Sequence, residues 1–364
     1  MGPVQLLAPG PPRYATRGNT PGEPGKTGKR GQTPSQDRLL PDSHTIEPER
    51  EVQPMFRKTL FFQLLVLALA VVAFEDWMDG LADREELGPR VAQIQLRPIL
   101  LPQRAGPLRL AGAWKLISTD PRFGGISALA VDGGQLLAVT DAGALVSFAK
   151  PGRTAVLPAM IRELPDGPGD PRFKSSRDAE SLARDPAIRG WWVGFENRHS
   201  VWLFDRQFQR ALAKIELGSG RWHRNGGIEG LAPLGRSLLG FPERGDQVVE
   251  LLPSPERTLP IDGTNGRISD AIVLGIGRIA VIRRSPGPLG FSNSLAFLER
   301  KGERWRYASS IRLPVSPLDN VEGLAAEKLP GGATRLWMMT DDNFHAPLRT
   351  LLLAYDLPPG RQAD

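Results

Sequence analysis

The stretch NVEGLAAEKLPGGATRLWMMTDDNFHAPLRTLLLAYDL, residues 320–357, reads as three short apolar strands joined by polar turns, and its opening recurs upstream. NVEGLAA at Asn320 has counterparts in GIEGLAP at Gly227, DAESLAR at Asp178 and GISALAV at Gly125, with a degenerate copy, SDAIVLG, from Ser269. A second apolar strand ending in polar residues follows each opening: QLLAVTDAG, WWVGFENRH, SLLGFPERG, RIAVIRRSP and RLWMMTDDN. A third follows in turn, as in SVWLFDR and QVVELLP. The units recur every roughly 45–55 residues with Gly-, Pro- and Asp-rich turns, the period of multi-strand propeller blades. The expected fold is an all-β propeller of five to six blades. A sixth blade would come from residues 91–117 closing against the C-terminal strand, which leaves no unpaired edge.

Working outward, residues 1–54 are rich in Pro, Gly and charge and show no apolar periodicity. Such a segment buries too little surface to offset its ordering entropy, so a disordered extension or a start-site artefact is expected. From Met55, the basic pair Arg57 and Lys58 precedes the apolar run LFFQLLVLALAVVAF, Leu60–Phe74. This is the pattern of a secretory signal, with an uncleaved membrane anchor as the alternative. The chain therefore divides into an extension (1–54), a signal or anchor (55–75), a linker and first strand (76–110), the propeller (111–358) and a short tail (359–364). The expected location is extracytoplasmic: periplasmic, secreted or anchored to the inner membrane through residues 60–74.

The chain has no cysteine, which excludes thiol nucleophiles, disulfides, iron–sulfur clusters and thiolate zinc sites. Any metal must be held by oxygen or by one of four histidines. A formal net charge of +6, with the basic residues scattered through the propeller region and no nucleic-acid motif, fits a small anionic partner or an anionic membrane surface at least as well as nucleic acid, and no nucleic-acid partner is expected. No G-x-S-x-G, P-loop, Rossmann glycine pattern or H-E-x-x-H is present. A serine esterase would need Ser127, Ser175 or Ser176 beside His223 or His345, and is poorly supported. Trp191, Trp192, Trp202 and Trp337 fall on strands, where packing between blades is the expected role.

The third position of the repeat opening holds Ser127, Glu180, Glu229, Asp270 and Glu322, and the second strand ends in Asp141, Glu196, Glu243, Arg284 and the pair Asp341/Asp342. In a propeller the innermost strand of each blade lines the central channel, so equivalent positions form rings. A carboxylate ring raises the pKa of its members unless a cation intervenes. Interleaved arginines or Ca²⁺, which takes six to eight oxygen ligands, would supply it. Arginines lie close by in sequence, among them Arg177, Arg198, Arg284 and Arg349, and a guanidinium pairs bidentately with phosphate. His223 and His345 lie in loops beside acidic motifs, and His199 is a weaker third.

The segments SRDAESLA, WWVGFENRHSVWLFD, NGGIEGLAPL, DNVEGLAAE and LWMMTDDNFHAPLRTLLLAYDL together resemble the bacterial phytase-like domain described as having esterase-like activity, over roughly residues 112–357. The resemblance implies a propeller, export, and calcium-dependent hydrolysis of a phosphoester. It places an acidic cluster at Asp178, Glu180, Glu229, Glu322, Asp341 and Asp342, with Asn343 beside it. The expected metal ligands are Asp178, Glu180, Glu229, Glu322 and Asp341. Glu322, Asp341, Asp342 and His345 are the expected catalytic groups, and Arg177, Arg198, Arg284 and Arg349 the phosphate clamps. Ser127 departs from an acidic residue, and the Ser269 copy is eroded. The alternative reading is a non-catalytic propeller that binds an envelope ligand or protein. The sequence is silent on oligomeric state.

Overall fold

The computed structural model describes Gln5–Leu6 and residues 88–359, apart from 219–225, 254–255, 264–265 and 288–289. The expected extension and the signal or anchor segment lie outside the described residues. The described residues belong to one compact unit. Among the described residues no helix is long and apolar enough to cross a membrane.

Antiparallel strands form five consecutive meanders. The first runs through Ile126–Asp132, Gln135–Thr140, Ala144–Ala149 and Val156–Glu163. The second has Ala179–Arg184, Gly190–Phe195, Ser200–Asp205 and Ala211–Glu216. The third has Ile228–Leu234, Ser237–Pro242, Gln247–Leu252 and Arg257–Asp262. The fourth has Arg267–Gly275, Arg278–Gly287, Gly290–Lys301 and Arg304–Arg312. The fifth takes Asn320–Lys328, Thr334–Asp341 and Leu351–Leu357 from the C-terminal end, and its fourth strand, Leu108–Ser118, from the N-terminal side.

That last pairing joins the two ends of the fold, with Leu352 opposite Trp114 and Leu353 opposite Ala113. Residues 91–117 thus close against the C-terminal strand through Leu108–Ser118 alone. They form no meander of their own, because Arg90–Pro98 pairs with both Val156–Glu163 and Leu108–Ser118. The arrangement is all-β and propeller-like.

The core lies between meanders. Side chains alternate across a strand, so the neighbours Trp191 and Trp192 face opposite ways. Trp191 packs with Leu137 and Val139 of the first meander, and Trp192 with Leu231 and Val249 of the third. The same sharing joins the third to the fourth meander around Phe241 and Trp305, the fourth to the fifth around Phe297 and Tyr355, and the fifth to the first around Trp337 and Phe148. Each buried Leu or Ile contributes about 1.5–3 kcal/mol, and nearly all of that is gained across these seams.

The innermost strands meet around a common axis at very short range. The Ser181 hydroxyl donates to the Ile228 carbonyl at 2.6 Å, and the Ser269 hydroxyl to the Val321 carbonyl at 3.0 Å. A Cβ on Gly230 would stand 2.8 Å from the Ala271 nitrogen, and one on Gly323 would stand 2.9 Å from the Leu129 Cβ. Glycine at these positions lets adjacent backbones approach. Gly230→Val is expected to destabilise the fold by about 1–3 kcal/mol through overpacking. Denaturant unfolding measures this, and an unchanged midpoint would contradict the close approach.

Candidate functional site: a carboxylate cluster at the channel mouth

Each innermost strand carries a one-residue irregularity near its start. Strand pairing skips Ser127, Glu180, Glu229, Ser269 and Glu322, each flanked by paired residues. A bulge re-aims the extra side chain and strengthens local twist, a device common beside functional sites. The equivalent residue in the fourth meander is therefore Ser269, one position before the expected Asp270. Asp270 is turned instead toward neighbouring inner strands, accepting from the backbone N–H groups of Leu324 at 2.6 Å and Ala271 at 2.7 Å. That carboxylate ties strands together.

Opposite the starts of these strands lie the ends of the second strands. The backbone N–H of Glu196 donates to the Asp178 carbonyl and that of Asp141 to the Gly125 carbonyl, while Arg284 pairs with Arg267 and Asp341 with Asn320. The expected second ring is thus in register at Asp141, Glu196, Arg284 and Asp341. Ends and starts meet at one mouth of the channel, where their charges act on one another.

Two cations neutralise part of the cluster. Arg284 bridges to Glu322, donates to the Asn320 side chain at 3.1 Å and approaches Glu243 at 3.8 Å. Asn320 in turn donates to Glu322 at 2.7 Å, and Arg267 holds Glu243 at 2.8 Å. On the other side, the Lys174 ammonium lies 2.5 Å from Asp141. Burial pulls the Lys174 pKa down, but Asp141, Asp178 and Asp341 more than offset it, so the net direction is upward.

The second meander's carboxylates make no ion pair among the described residues, although the Lys174 ammonium acts on Asp178. Asp178, Glu180 and Glu196 each offer an oxygen within 4.8 Å of the other two. Asp178 is held by the Asn197 amide, which donates to it at 2.5 Å. Burial and then the Asp141 carboxylate push Asp178 up to about 6, against the lowering pull of hydrogen bonds with Glu180 and Glu196 and of the Lys174 ammonium. Burial, then Asp178 and Glu243, push Glu196 up to about 7. Burial and the same crowd of negative charge hold Glu180 well above the usual carboxylate range. Glu229 is 6% exposed, accepts no hydrogen bond among the described residues, and is likewise raised by burial and by Glu196. Like charges this close require a shared proton or a cation.

This donor set suits a hard divalent ion. Oxygen ligands in a flexible, partly hydrated shell are what Ca²⁺ takes. Glu229, a buried carboxylate outside that trio, adds negative charge that acts on Glu180 and Glu196. Glu196 and Asn197 were not among the residues singled out as ligands or supports from sequence, although Glu196 stood in the expected second ring. Its pairing register with Asp178 becomes visible only once the bulge at Glu180 is known.

The remaining expected residues are placed as follows. Glu322 is committed to Arg284 and Asn320. Asp341 is buried, accepts from the Asn343 N–H at 2.7 Å, and is held well above the usual range by burial and Glu322. Asp342 accepts from the N–H groups of Gly125 and Phe344 and from the Thr350 hydroxyl, which fixes the 342–350 turn. His345 is exposed on that turn, beside a groove lined by Lys115, Phe123 and Arg349, away from the carboxylate trio. Arg349 makes a two-pronged ion pair with Asp319 at 3.0 and 2.6 Å. Arg177 is buried under the turn carrying Gly143. Arg198 is exposed, two residues beyond Glu196. His223 lies outside the described residues, and His199 is half-buried, its pKa lowered by burial.

No curated protein matches the chain. Among solved structures, the glutaminyl cyclase of Myxococcus xanthus aligns at 13% identity with a TM-score of 0.45, covering 68% of this chain and 95% of that one. A β-propeller domain of Myceliophteria thermophila Cps50 aligns at 10% identity with a TM-score of 0.31, over 62% and 68% of the two chains. A putative exported protein of Bacteroides fragilis aligns at 9% identity with a TM-score of 0.35, over 70% and 96%. The family described as "Phytase-like: Esterase-like activity of phytase" matches residues 121–344, which span every innermost strand, the carboxylate trio and both compensating cations. The chain therefore belongs to the phytase-like family.

Proposed function

We propose that the chain is an exported, five-bladed propeller that hydrolyses a small anionic phosphoester with the help of one calcium ion at the channel mouth. Each meander is taken as one blade, and export rests on the signal-like segment from Met55 to Phe74. The observation that carries the reading is the one-sided charge pattern. Arg284 and Lys174 make ion pairs with their own neighbours, whereas Asp178, Glu180 and Glu196 converge and make no ion pair among the described residues.

Asp178, Glu180 and Glu196 would hold the ion, with Asn197 fixing Asp178. When bound, calcium supplies a Lewis acid toward phosphoryl oxygen and water. Glu229, buried and without a hydrogen-bond donor, is the carboxylate best placed to accept a proton from an attacking water. Arg198, exposed on the turn after Glu196, is free to meet the phosphate with its guanidinium fork. Glu322, Asp341 and Asp342 set the field and the turn geometry around the centre. His345 would act only on the outer part of a substrate that reaches its turn.

A second reading is a non-catalytic propeller whose acidic residues serve structure. The backbone partners of Asp270 and Asp342 favour it for those two residues. The readings separate by experiment: hydrolysis of phytate and of p-nitrophenyl phosphate, with and without Ca²⁺. Calcium-dependent turnover by the full chain, lost in Glu180→Gln, is the expected outcome. Absence of turnover on either substrate, with no thermal stabilisation by calcium, would leave the binding reading in front.

Asn197→Ala removes a support of a ligand rather than a ligand. It is expected to weaken calcium affinity by roughly 10–100-fold without unfolding the protein, measured by calorimetric titration. An unchanged affinity would mean that Asp178 is not a ligand.

The pH dependence follows from the raised carboxylates. Unfolded Asp and Glu ionise near 3.9 and 4.3, as reference values of about that size. In the folded, metal-free protein Asp178 and Glu196 ionise at about 6 and about 7. Between about pH 4 and 7 the folded state thus binds more protons than the unfolded one, so stability falls as pH rises through that window. Bound calcium relieves the repulsion. The gap in Tm between calcium-loaded and metal-free protein is expected to widen from pH 5 to pH 8, and a constant gap would contradict the shared site.

A further inference from the structure

The connection that enters the first meander and the 342–350 turn of the fifth face each other across a groove of about 450 Å³. That volume lies within the roughly 300–1,000 Å³ of small-molecule sites. Both segments belong to the channel-mouth face, since one leads into Ile126–Asp132 and the other follows Thr334–Asp341. Lys115 lines the groove from the closing strand Leu108–Ser118, and His345 and Arg349 line it from the turn. Phe123, Phe344 and Leu348 supply apolar lining.

The acids of this groove are committed, whereas part of its positive charge is not. Asp120 accepts from the Arg122 guanidinium at 3.0 and 2.9 Å. Asp342 accepts from the Gly125 and Phe344 N–H groups at 3.0 and 3.1 Å and from the Thr350 hydroxyl at 2.7 Å. Arg349 is taken by Asp319. Among the described residues, neither the Lys115 ammonium nor the His345 imidazole has a hydrogen-bond or ion-pair partner. Lys115 is half-buried, and an ammonium partly withdrawn from water gains by pairing with an anion.

A strained backbone sets the apolar wall. Asn343 at φ +47° and Phe344 at φ +55° are consecutive left-handed residues, neither of them glycine. Side chains with a Cβ disfavour that conformation, and where it persists it clusters at binding sites and switches. Asp341 and Asp342 hold it by accepting the N–H groups of Asn343 and Phe344 at 2.7 and 3.1 Å. The Phe344 ring is thereby laid against Gly124 and Gly125, where a Cβ would stand 2.8 and 2.3 Å from ring carbons, yet 37% of the residue stays exposed. A flat apolar surface thus shares one groove with two uncommitted nitrogen groups.

We propose that this groove is a second ligand site, for a small organic oxyanion: a carboxylate or phosphate carried on a flat apolar body. Lys115 receives the charged head with help from a His345 N–H, and the body lies against Phe344. A lysine suits this role because its ammonium is a compact charge on a flexible stem that adjusts to either head group. The site uses none of Asp178, Glu180 and Glu196, so it stands or falls independently of the calcium reading.

The test is isothermal titration calorimetry of the full chain after chelation of metals. Phenyl phosphate and benzoate carry both head and body, inorganic phosphate lacks the body, and benzyl alcohol lacks the charge. At least one of the two aryl anions is expected to bind more tightly than inorganic phosphate and benzyl alcohol, and the tighter of the two identifies the head group. Lys115→Met keeps the apolar stem and is expected to weaken that binding about 10-fold, the loss of one charged hydrogen bond. Phe344→Ala is expected to bring it down to the level of inorganic phosphate. His345→Ala alters an exposed side chain and carries the test should the Lys115 variant fail to fold, with a weakening of about 3-fold. No binding of any probe, binding of benzyl alcohol or inorganic phosphate as tight as that of the aryl anions, or an aryl-anion affinity unchanged in the Lys115 and His345 variants overturns the inference. Each of these outcomes leaves calcium-dependent turnover, measured separately with the metal present, to be decided on its own result.

Discussion

Closure of the ring is the constraint on which the rest of this structure depends. No meander owns its core: Trp191 is buried by the first meander, Trp192 by the third, and Trp337 by the first from the other side. A sheet so placed has two apolar faces and is stable only with a neighbour on each. The chain achieves this by pairing Leu108–Ser118 with Leu351–Leu357, strands separated by nearly the whole fold. The loop-closure entropy of that step is offset because it completes two seams at once and removes the exposed edges.

Closure also dictates the electrostatics. Once inner strands of like direction surround an axis, residues at equivalent positions are brought together whatever their charge. The bulge before each paired residue turns one extra side chain toward the mouth, and in the second, third and fifth meanders that side chain is glutamate. The repulsion is a cost the fold carries in advance of any ligand. It is met locally by ion pairs from Arg284 and Lys174, whereas Asp178, Glu180 and Glu196 make no ion pair among the described residues.

The fold was largely legible in the sequence because each repeat shows its three apolar strands as continuous runs with Gly, Pro and Asp between them. The closing strand was legible too, though residues 91–117 divide between two sheets instead of building a blade. The site was legible in its residue types and less so in its register. A bulge shifts alignment by one residue, which hides the equivalence of Ser269 with Glu322 and makes Asp270 look like a channel residue. Asp342 was indistinguishable from Asp341 by sequence, yet backbone pairing puts only Asp341 opposite Asn320. Lys174 and Asn197 lie in connections outside the repeat, where periodicity carries no information. Their roles depend on which loop folds over which strand end.

The repeat is therefore most informative where it breaks. At the bulge the meanders present Ser, Glu, Glu, Ser and Glu in order, and at the end of the second strand Asp, Glu, Glu, Arg and Asp. A fully symmetric ring of acids would repel itself evenly and bind cations along its whole circumference. Placing arginines in the fourth meander and a lysine over the first leaves the second meander's trio as the carboxylates that make no ion pair among the described residues. One side of a pseudo-symmetric channel thereby carries the carboxylate trio, and the other carries ion-paired residues. The same β-strand geometry serves both, and the difference between them lies in a few side chains at equivalent positions.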